Sequence, residues 1–428
     1  MGDLQLQAGG SDGGCFGVRR GAPDGRTPGA PCGGHGRGQP GRRGVVARLR
    51  EGVHQVTRIA VLTGGGDAPG LNAVIRAVVL AAEGLGWECH GIRDGFNGLL
   101  APATCVGAPV QRLTAHHVHG IGHLGGTILG STNQGNPLRF PTRAADGAVT
   151  ETDRSDEVVA LCGRHGFDAL VVAGGDGTMG IANALRQKGM RVVGVPKTID
   201  NDLDRTFSTF GFDSAIGFAT ECIDRLHSTA HSHHRVMVVE VMGRYAGWIA
   251  LHAGMAGGAH AILIPEIPFD LDAVAAAIHA RDSAGRAHSI VVVAEGAQMA
   301  GGAREIQAPA SGGHEERLGG IGARVTAMLE QRTGKDCRSL VLGHLLRGGS
   351  PSAFDRVCGS RFGAAAVRAL AAGHDGVMVA LGEAGINLVP LAEVVGRSRR
   401  VPVDGDTVLT ARELGICMGD VPPGSSAS

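Results

Sequence analysis

Residues 168–178 read Asp-Ala-Leu-Val-Val-Ala-Gly-Gly-Asp-Gly-Thr, an apolar run that leads directly into a glycine cluster. The run has the length of a buried strand, and the residues that follow, to about Gly189, have the apolar spacing of a helix. A related unit precedes it, in which the run at 58–62 leads into Gly-Gly-Gly-Asp at 64–67 and a helix predicted over 72–83. Strands separated by helices are typical of mostly parallel sheets with helices on both faces. The sequence therefore predicts an α/β protein that binds its ligands at the carboxyl ends of strands.

The same pattern continues through the chain. Further buried strands are predicted at 191–195, 236–241, 261–264, 290–294 and 340–343. Helical spacing places four apolar residues of the helix 72–83 on one face: Val74, Ala77, Val78 and Ala81. Because the chain has 428 residues, more than one hydrophobic core usually serves, we expect two lobes.

Composition argues against several classes of protein. The basic and acidic residues balance at 40 each, so charge does not favour a nucleic acid or a membrane surface as the main partner. The nine cysteines are scattered without a Cys-x-x-Cys pair, which argues against a zinc site or a disulfide framework. No apolar run reaches the ~18–20 residues that span a bilayer, and no apolar segment near the N-terminus resembles a signal peptide. We therefore expect a cytoplasmic protein.

Residues 1–56 differ from the rest of the chain. They contain eight arginines and no lysine, with many glycines and little hydrophobic periodicity. Such a segment buries too little apolar area to offset the entropy of ordering it. We interpret it as a disordered extension. The alternative is an RNA-binding arm, although regular Arg-Gly-Gly repeats are missing.

Both glycine clusters are suited to phosphate. Without Cβ atoms, backbone N–H groups approach phosphate oxygens closely, and the N-terminus of the following helix adds partial positive charge. For either cluster alone, a tight turn without a ligand is the alternative. Asp176 changes the interpretation because a carboxylate in a phosphate cradle requires a cation, and we interpret it as a magnesium partner. The sequence contains no Walker-type P-loop motif.

The most informative stretch is Pro-Lys-Thr-Ile-Asp-Asn-Asp at 196–202. Pro196 is predicted to end a strand, and in extended backbone Asp200 and Asp202 would face the same side. Paired carboxylates at a strand end are suited to deprotonating a hydroxyl while supporting a metal or the base itself. A solvated turn is the alternative. Lys197 is one of only three lysines in the chain, which favours a specific role for its point charge.

Arginines beside predicted strand ends complete the candidate site. Arginine binds phosphate with two parallel hydrogen bonds, so several that converge from distant segments indicate an anionic substrate. These are Arg235, Arg244, Arg338 and Arg347, with His344 close to two of them. Four other histidines could suggest a metal cluster, but they lack acidic or cysteine partners nearby, and we interpret them as surface residues at a helix end. These are His227, His231, His233 and His234.

Together these segments resemble the phosphofructokinase family, in the family's order and spacing across about residues 57–400. The matching stretches are Leu-Thr-Gly-Gly-Gly-Asp-Ala-Pro-Gly-Leu-Asn from Leu62, Gly-Gly-Asp-Gly-Thr from Gly174, Pro-Lys-Thr-Ile-Asp-Asn-Asp from Pro196, Met-Gly-Arg-Tyr-Ala-Gly-Trp from Met242 and Gly-His-Leu-Leu-Arg-Gly-Gly-Ser-Pro from Gly343. Gly-Gly-Asp-Gly-Thr alone would be less specific, because NAD kinases and diacylglycerol kinases share it.

The resemblance implies transfer of the γ-phosphoryl group of ATP to the 1-hydroxyl of fructose 6-phosphate, with Mg²⁺. It implies a nucleotide-binding lobe at 57–211 plus about 346–396, and a sugar-phosphate lobe at about 212–345 plus the C-terminal segment. Asp200 would be the general base and Asp176 the magnesium partner. The resemblance places around the sugar phosphate Thr198, Asp202, Met242, Gly243, Arg244, Glu295, His344 and Arg347, with Thr198, Asp202 and Arg244 also assisting catalysis. It places around the nucleotide Gly66, Asn133, Gly175, Gly177, Thr178 and Lys197.

Arg235 and Arg338 match family arginines that reach the 6-phosphate from a neighbouring subunit. The resemblance therefore implies a homodimer or homotetramer with shared active sites. At the family's effector site Arg76 is present, but Leu80 replaces a common arginine and His260 a common glutamate. Regulation by phosphoenolpyruvate or ADP is accordingly not expected to be strong.

The sequence contains opposed signals about the phosphoryl donor. Asn133 stands where many ATP-dependent bacterial members have arginine, and Lys197 resembles the pyrophosphate-using branch. Gly177 favours ATP. The pyrophosphate-using branch usually has Asp at this position, and an Asp side chain would clash with the α-phosphate of ATP and repel its charge. We expect ATP as the donor, with pyrophosphate as the alternative, as in the mixed actinobacterial-type group.

Two other classes of function explain fewer of these sequence segments than phosphofructokinase activity does. An NAD or lipid kinase would account for Gly-Gly-Asp-Gly-Thr but leaves the segments around Asp200 and His344 unexplained. A non-catalytic sugar-phosphate sensor would normally have lost Asp200 or Asp176, and both are present.

Overall fold

The computed structural model describes residues 56–143, 149–308 and 317–420. The predicted extension at 1–56 lies outside these residues except for Val56. In the described part of the chain, no helix is both long enough and apolar enough to cross a membrane.

The described strands run from β1 to β15. They are β1 (Arg58–Thr63), β2 (Glu88–Ile92), β3 (Val110–Leu113), β4 (Phe140–Arg143), β5 (Val149–Thr152), β6 (Ala169–Gly174), β7 (Val192–Pro196), β8 (Val236–Val241), β9 (Ala261–Leu263), β10 (Ser289–Ala294), β11 (Ile306–Ala308), β12 (Arg317–Leu318), β13 (Cys337–Val341), β14 (Val377–Leu381) and β15 (Ile386–Pro390).

The described helices are α1 (Leu71–Gly84), α2 (Asn97–Leu100), α3 (Ser155–His165), α4 (Asp176–Gln187), α5 (Phe212–His233), α6 (Trp248–Ala256), α7 (Leu271–Ser283), α8 (Ile321–Thr333), α9 (Ala353–Ala371) and α10 (Asp406–Glu413). Short 3-10 turns lie between them, and one of these, Gly343–Arg347, carries predicted site residues.

The larger sheet has seven strands among the described residues, in the order β15-β14-β7-β6-β1-β2-β3. Its central strands β7, β6, β1 and β2 are parallel, and only β3 and β15 at the two edges pair antiparallel. From β1 the chain passes to β2 on one side and later to β6 and β7 on the other. A crevice forms at such a switch point, outside the carboxyl ends of the strands. It lies between the two glycine clusters and beside Pro196.

The smaller sheet is parallel throughout, in the order β13-β8-β10-β9. Its carboxyl ends lead into the Met242, Glu295 and His344 segments. On β8 the Glu240 carboxylate is buried and accepts hydrogen bonds from the backbone N–H groups of Gly320 and Gly322. These donors begin α8, so the negative charge is satisfied by a helix N-terminus.

Helices cover both faces of the larger sheet, as the pattern predicts. One core includes α1 and α9, and the core on the other face includes α3 and α4. A Cβ at Gly363 on α9 would lie 2.5 Å from the Val74 carbonyl oxygen, and one at Gly359 would lie 3.0 Å from that of Gly70. The two glycines, one helical turn apart, thus let the backbones of α1 and α9 pack closely.

The predicted fold class is confirmed, with differences at element bounds. The helix predicted at 72–83 spans Leu71–Gly84, but Ala77 and Ala81 are only half-buried, and the buried face is centred on Val74 and Val78. The strand predicted at 340–343 is wrong in register. The strand spans Cys337–Val341, an edge strand whose mostly exposed residues hide the apolar signal. The assignment of the chain to a nucleotide lobe and a sugar-phosphate lobe stays a prediction.

Candidate active site

The two carboxylates of the sequence 196–202 lie on a turn that we call the acidic turn (residues 198–202). Asn201 has a φ of +52°, in the left-handed region, and its side-chain oxygen accepts a hydrogen bond from Thr209 N at 3.1 Å. The prediction of extended backbone is therefore wrong at this point. Asparagine tolerates the left-handed conformation better than most residues. The left-handed conformation of Asn201 turns the chain between the two aspartates. Asp200 and Asp202 therefore lie near each other because of this turn and not because they share one face of a strand.

The Asp200 carboxylate has a raised pKa and a buried oxygen. One of its carboxylate oxygens is buried and has no hydrogen-bond partner in the described structure. Burial raises the pKa of Asp200 to about 7, and the negative charge of Asp202 acts in the same direction, against the positive charge of Arg347. A carboxylate with a pKa close to neutrality can accept a proton at physiological pH.

Thr198 joins the two carboxylates. Its hydroxyl oxygen accepts a hydrogen bond from Asp200 N at 3.1 Å, and its hydroxyl donates to Asp202. Burial raises the pKa of Asp202, and this hydrogen bond opposes the effect. The Thr198 carbonyl in turn accepts a hydrogen bond from the Thr209 hydroxyl at 2.7 Å.

The glycine cluster after β1 meets Lys197 from the end of β7. Lys197 is buried, and its Nζ donates a hydrogen bond to the Gly66 carbonyl oxygen. A Cβ at Gly65, where φ is +76°, would lie 3.4 Å from this Nζ and 3.9 Å from Asn133 Oδ1. Burial lowers the pKa of Lys197 to about 8, and the positive charge of Arg347 adds to this effect. The ammonium group thus lies under the loop expected to bind phosphate.

These segments border a cleft of about 400 Å³. Its walls include Gly66, Asn133, His344 and Arg347, and a Cβ on Gly66 would lie 2.9 Å from Arg347 Nη1. Arg347 Nη1 donates a hydrogen bond to the Asp67 carbonyl oxygen at 3.1 Å. The cleft therefore brings together the first motif along the chain, which contains Gly66, and the last, which contains Arg347. In the sequence the acidic turn lies between these two motifs.

The second glycine cluster forms the start of α4. A Cβ at Gly174 would lie 2.3 Å from the Thr178 Cβ, so glycine is required there. A Cβ at Gly177 would meet no atom within 4 Å. Asp176 is exposed at the start of α4. Its Oδ1 accepts a hydrogen bond from Gly396 N at 2.9 Å.

The carboxyl edge of the smaller sheet supplies the remaining predicted residues. Gly243 has a φ of +141°, and Glu295 N donates a hydrogen bond to the Val241 carbonyl oxygen at 2.9 Å. Burial raises the pKa of Glu295, while the charge of Arg244 lowers it. Arg244 and Glu295 also both influence the pKa of Asp200, which places these charges near the acidic turn.

Arg235 and Arg338 do not join this cluster. Both lie at the amino edge of the smaller sheet, since Arg235 immediately precedes β8 and Arg338 is the second residue of β13. The expectation that every motif lies at a carboxyl end is therefore wrong for these two. The six residues of β8 separate the two edges by roughly 20 Å. The two arginines share one partner, Asp336, which the sequence analysis missed because nothing local in the sequence marks it.

The histidines on α5 are only partly as predicted. His231, His233 and His234 are exposed, as expected, but His227 is half-buried and its Nε2 lies 2.7 Å from the Gly257 carbonyl oxygen. The rings of His227, His260 and His288 contact one another at centroid distances of 5.7–6.0 Å. No group of three residues in the described chain has the arrangement of a metal site.

The positions expected to bind an effector have unlike environments. Arg76 is exposed on α1, whereas Leu80 is half-buried against the core of the larger sheet. His260 Nδ1 accepts a hydrogen bond from Ile290 N at 2.9 Å, and burial lowers its pKa to about 3. A neutral imidazole committed to the backbone differs in charge from the family's glutamate, and weak regulation stays a prediction.

Comparison with known proteins agrees with this arrangement. The profile of the family described as "Phosphofructokinase" matches residues 58–370. The chain is 55% identical to the ATP-dependent 6-phosphofructokinase of Chloroflexus aggregans over 85% of this chain and 98% of that protein. It is 49% identical to the pyrophosphate–fructose 6-phosphate 1-phosphotransferase of Amycolatopsis mediterranei over 81% and 97% of the two chains.

Solved structures with this fold include phosphofructokinase from Pichia pastoris in the T-state. It has a TM-score of 0.67 and 30% identity, over 85% of this chain and 37% of that longer chain. A pyrophosphate-dependent enzyme from Nitrosospira multiformis has a TM-score of 0.68 and 21% identity, over 87% and 95% of the two chains, and shares the fold.

Proposed function

This chain belongs to the phosphofructokinase family, and we propose that it transfers the γ-phosphoryl group of ATP to the 1-hydroxyl of fructose 6-phosphate. The observation that carries the proposal is the buried, unpartnered oxygen of Asp200 at the meeting point of the two glycine loops and the smaller sheet. The lone pairs of this oxygen are free to accept a hydroxyl proton.

Asp200 would accept the proton of the 1-hydroxyl as the sugar oxygen attacks the γ-phosphorus. Its pKa of about 7 lets it exist as the carboxylate at neutral pH and still hold the proton afterwards. Thr198 and Asp202 hold the turn, and Arg244 with Glu295 border it on the sugar side. Met242, Gly243 and His344 follow the ends of β8 and β13 and would contact the sugar phosphate.

Positive charge on the other side of Asp200 would stabilise the transferred phosphoryl group. Lys197 and Arg347 both lie at the loop that contains Gly66, and Asn133 adds a neutral side chain beside it. Fixed cations near the equatorial oxygens are the main protein contribution to phosphoryl transfer. Gly175, Gly177 and Thr178 would receive the remaining phosphates at the N-terminus of α4.

The donor set fits Mg²⁺. This ion is usually held by one or two carboxylates, with water and substrate phosphates as its other ligands. Asp176 is exposed at the nucleotide loop, and with Gly396 N on its Oδ1, its Oδ2 is the oxygen left for a cation. Asp202 lies near enough for the charge of Asp176 to raise its pKa. When bound, the ion would neutralise the phosphate charge that this carboxylate would otherwise repel.

Two observations bear on the donor. The space at Gly177 leaves room for an α-phosphate, which favours ATP. The buried Lys197 and the relatives named for pyrophosphate, at 49% identity, favour pyrophosphate as the second candidate. We expect the open space at Gly177 to determine the phosphoryl donor. The Lys197 ammonium group is compatible with ATP, whereas a carboxylate at position 177 would not be.

The positions of Arg235 and Arg338 favour an oligomer. Held at the edge opposite to the acidic turn, they would complete the site of a neighbouring subunit in a homodimer or homotetramer. The described cysteines are all free thiols, which favours a reducing compartment such as the cytoplasm.

A coupled assay tests the reaction and its donor. Fructose 1,6-bisphosphate formation is measured from fructose 6-phosphate with Mg²⁺ and either ATP or pyrophosphate. Turnover with ATP and little with pyrophosphate is the expected result. Turnover with pyrophosphate alone would move the function to the second candidate, and no turnover with either donor would contradict the proposal.

A further inference from the structure

A short segment near the C-terminus, which we call the strap (residues 396–401), crosses several parts of the site. At its first residue, Gly396 N donates a hydrogen bond to Asp176 Oδ1 at 2.9 Å. Gly396 has a φ of +73°, which favours glycine. Just before it, Val395 Cγ1 would lie 3.7 Å from a Cβ on Gly180 in α4. The strap therefore begins beside the nucleotide loop and the second turn of the helix that follows this loop.

The middle of the strap holds the acidic turn. Arg399 N donates a hydrogen bond to the Asp202 carbonyl oxygen at 2.8 Å, and Ser398 forms a bridge with Leu203. The Arg399 side chain continues along the same loop. Its Nη1 donates to the carbonyl oxygens of Phe207 at 2.7 Å and Thr206 at 3.3 Å. One residue thus binds both ends of the loop that follows Asp200.

The end of the strap reaches the smaller sheet. The Trp248 indole N–H, at the start of α6, donates to the Arg399 carbonyl oxygen at 3.0 Å, and the Arg399 guanidinium lies 4.7 Å from the centre of the Trp248 ring. Val401 N donates to Glu266 Oε1 at 2.8 Å, and the same carboxylate accepts a hydrogen bond from Gly247 N at 3.1 Å. The strap is thus bonded to the elements that border both substrates.

The environment of Arg399 indicates a geometric role. The Arg399 side chain is half-buried and forms no salt bridge with a carboxylate in the part of the chain that the structure describes. Burial lowers the pKa of Arg399, and the negative charge of Asp204 opposes this effect. A half-buried guanidinium is stabilised where hydrogen bonds and an aromatic face satisfy it. The partners of the Arg399 guanidinium are two backbone carbonyl oxygens and the Trp248 ring. These contacts depend on the exact position of the guanidinium group.

We propose that Arg399 is a positioning residue for phosphoryl transfer and that the strap sets the separation between Asp176 and the acidic turn. The inference rests on the proposed function, in which these segments hold the metal and the base. In-line transfer needs donor and acceptor in one alignment, and a displacement of about 1 Å lowers the rate by up to about 100-fold. The strap is hydrogen-bonded both to Asp176 and to the acidic turn. A displacement of one of them is therefore transmitted through the strap to the other.

The test compares Arg399→Ala and Arg399→Lys with the unaltered enzyme. In Arg399→Ala we expect kcat to fall about 10- to 100-fold, with less change in KM for fructose 6-phosphate. Loosening the turn admits water, lowers the pKa of Asp200 and moves the acidic limb of the kcat profile to lower pH. Lysine keeps a cation over Trp248 and one donor, so Arg399→Lys should recover part of both effects.

Hydrogen exchange supplies a measurement that does not depend on turnover. Peptides covering 198–209 should exchange faster in Arg399→Ala than in the unaltered enzyme. Arg164→Ala is the matched control, because Arg164 is exposed on α3, outside the strap, and its charge acts on Glu157. It should leave kcat and exchange unchanged.

Unaltered kcat and exchange in Arg399→Ala would overturn the proposal, as would an equal loss in Arg164→Ala. If Arg399→Ala does not fold, Trp248→Phe removes one hydrogen bond to the strap and keeps an aromatic ring. It should lower kcat a few-fold, and normal kcat there would also overturn the proposal. Faster exchange of 198–209 together with full activity in Asp200→Asn would support the strap while contradicting the proposed base.

Discussion

The Nε of Arg235 donates a hydrogen bond to the Asp336 carboxylate at 2.5 Å, at the amino edge of the smaller sheet. Arg338 Nη1 contacts the other oxygen of this carboxylate, also at 2.5 Å. One anion thus offsets the repulsion between two guanidinium groups and holds them side by side. Because roughly 20 Å of strand separates them from the carboxyl edge, this pair is too far from the acidic turn to bind the same phosphate group as its residues.

Complementation between two variants tests whether sites are shared. If sites are shared, Arg338→Ala would remove a phosphate ligand that a subunit supplies to its neighbour, and Asp200→Asn would remove the base that the subunit itself uses. Each variant alone should have low activity. Mixed subunits should recover about a quarter of normal activity, since half of random dimers are hybrids and each hybrid has one intact site. The measurement is the coupled assay after dissociation and reassociation.

The control for this experiment is a mixture of each variant with itself, taken through the same steps. No gain in the mixed sample, with hybrid oligomers demonstrated by native mass spectrometry, would show that Arg338 acts within its own subunit or not at all.

Asp200→Asn should lower kcat by about 10²–10⁴-fold, because it keeps the shape of the side chain and removes the proton acceptor. Affinity for fructose 6-phosphate should change far less. Near-normal turnover in this variant would exclude Asp200 as the base.

The pH dependence of the unaltered enzyme follows from the same residue. The base must be ionised, and burial raises the pKa of Asp200 to about 7. Hence kcat/KM should rise with pH through about 7 and level off above it. The check is a rate profile at saturating donor, and a limb near pH 4, typical of an exposed Asp, would contradict a buried base.

Gly177→Asp should reduce kcat/KM for ATP at least about tenfold, because it places negative charge and bulk against the α-phosphate. The fold should tolerate the change, as a Cβ there meets no atom within 4 Å. Gly177→Ala is the matched control and should retain most ATP activity. Some activity with pyrophosphate is expected in the Asp variant, since Lys197 is retained. Equal ATP activity in both variants would rule out Gly177 as the donor determinant.

The pH dependence of stability should reflect His260. Burial lowers its pKa from 6.5 to about 3, so below pH 6.5 the unfolded chain binds a proton that the folded chain does not. Its contribution to stability is therefore present above pH 6.5 and is lost as the pH falls toward 3. His260→Gln should flatten the fall in Tm between about pH 7 and about pH 5 by roughly 2 °C.

Thermal unfolding across this pH range is the measurement, with exposed His233→Gln as the control. An equal slope in the unaltered protein and in His260→Gln would mean that the neutral state of His260 does not contribute to stability.

Much of the site could be predicted because its signals are local. Apolar runs that end in Gly174, Pro196 or Val241 predict a strand and the loop after it, and residues on such loops at adjacent parallel strands must meet. Gly174 and Lys197, at the ends of the adjacent strands β6 and β7, do come together for this reason, whereas Arg347 reaches Lys197 from the smaller sheet. The extended backbone predicted around Asp200 was wrong, because the bond between Asn201 and Thr209 N depends on where the chain returns.

The sequence by itself determined the α/β class, the order of the motifs and the chemistry of their side chains, because strand, turn and helix preferences act over a few residues. Only the tertiary structure decided that Arg235 and Arg338 lie at the opposite edge, that Asp336 joins them and that Gly396 meets Asp176. The raised pKa of Asp200 was also decided by the tertiary structure, because segments distant in sequence bury this carboxylate. Contacts and dielectric environment are properties of the packed chain, and no local pattern encodes them.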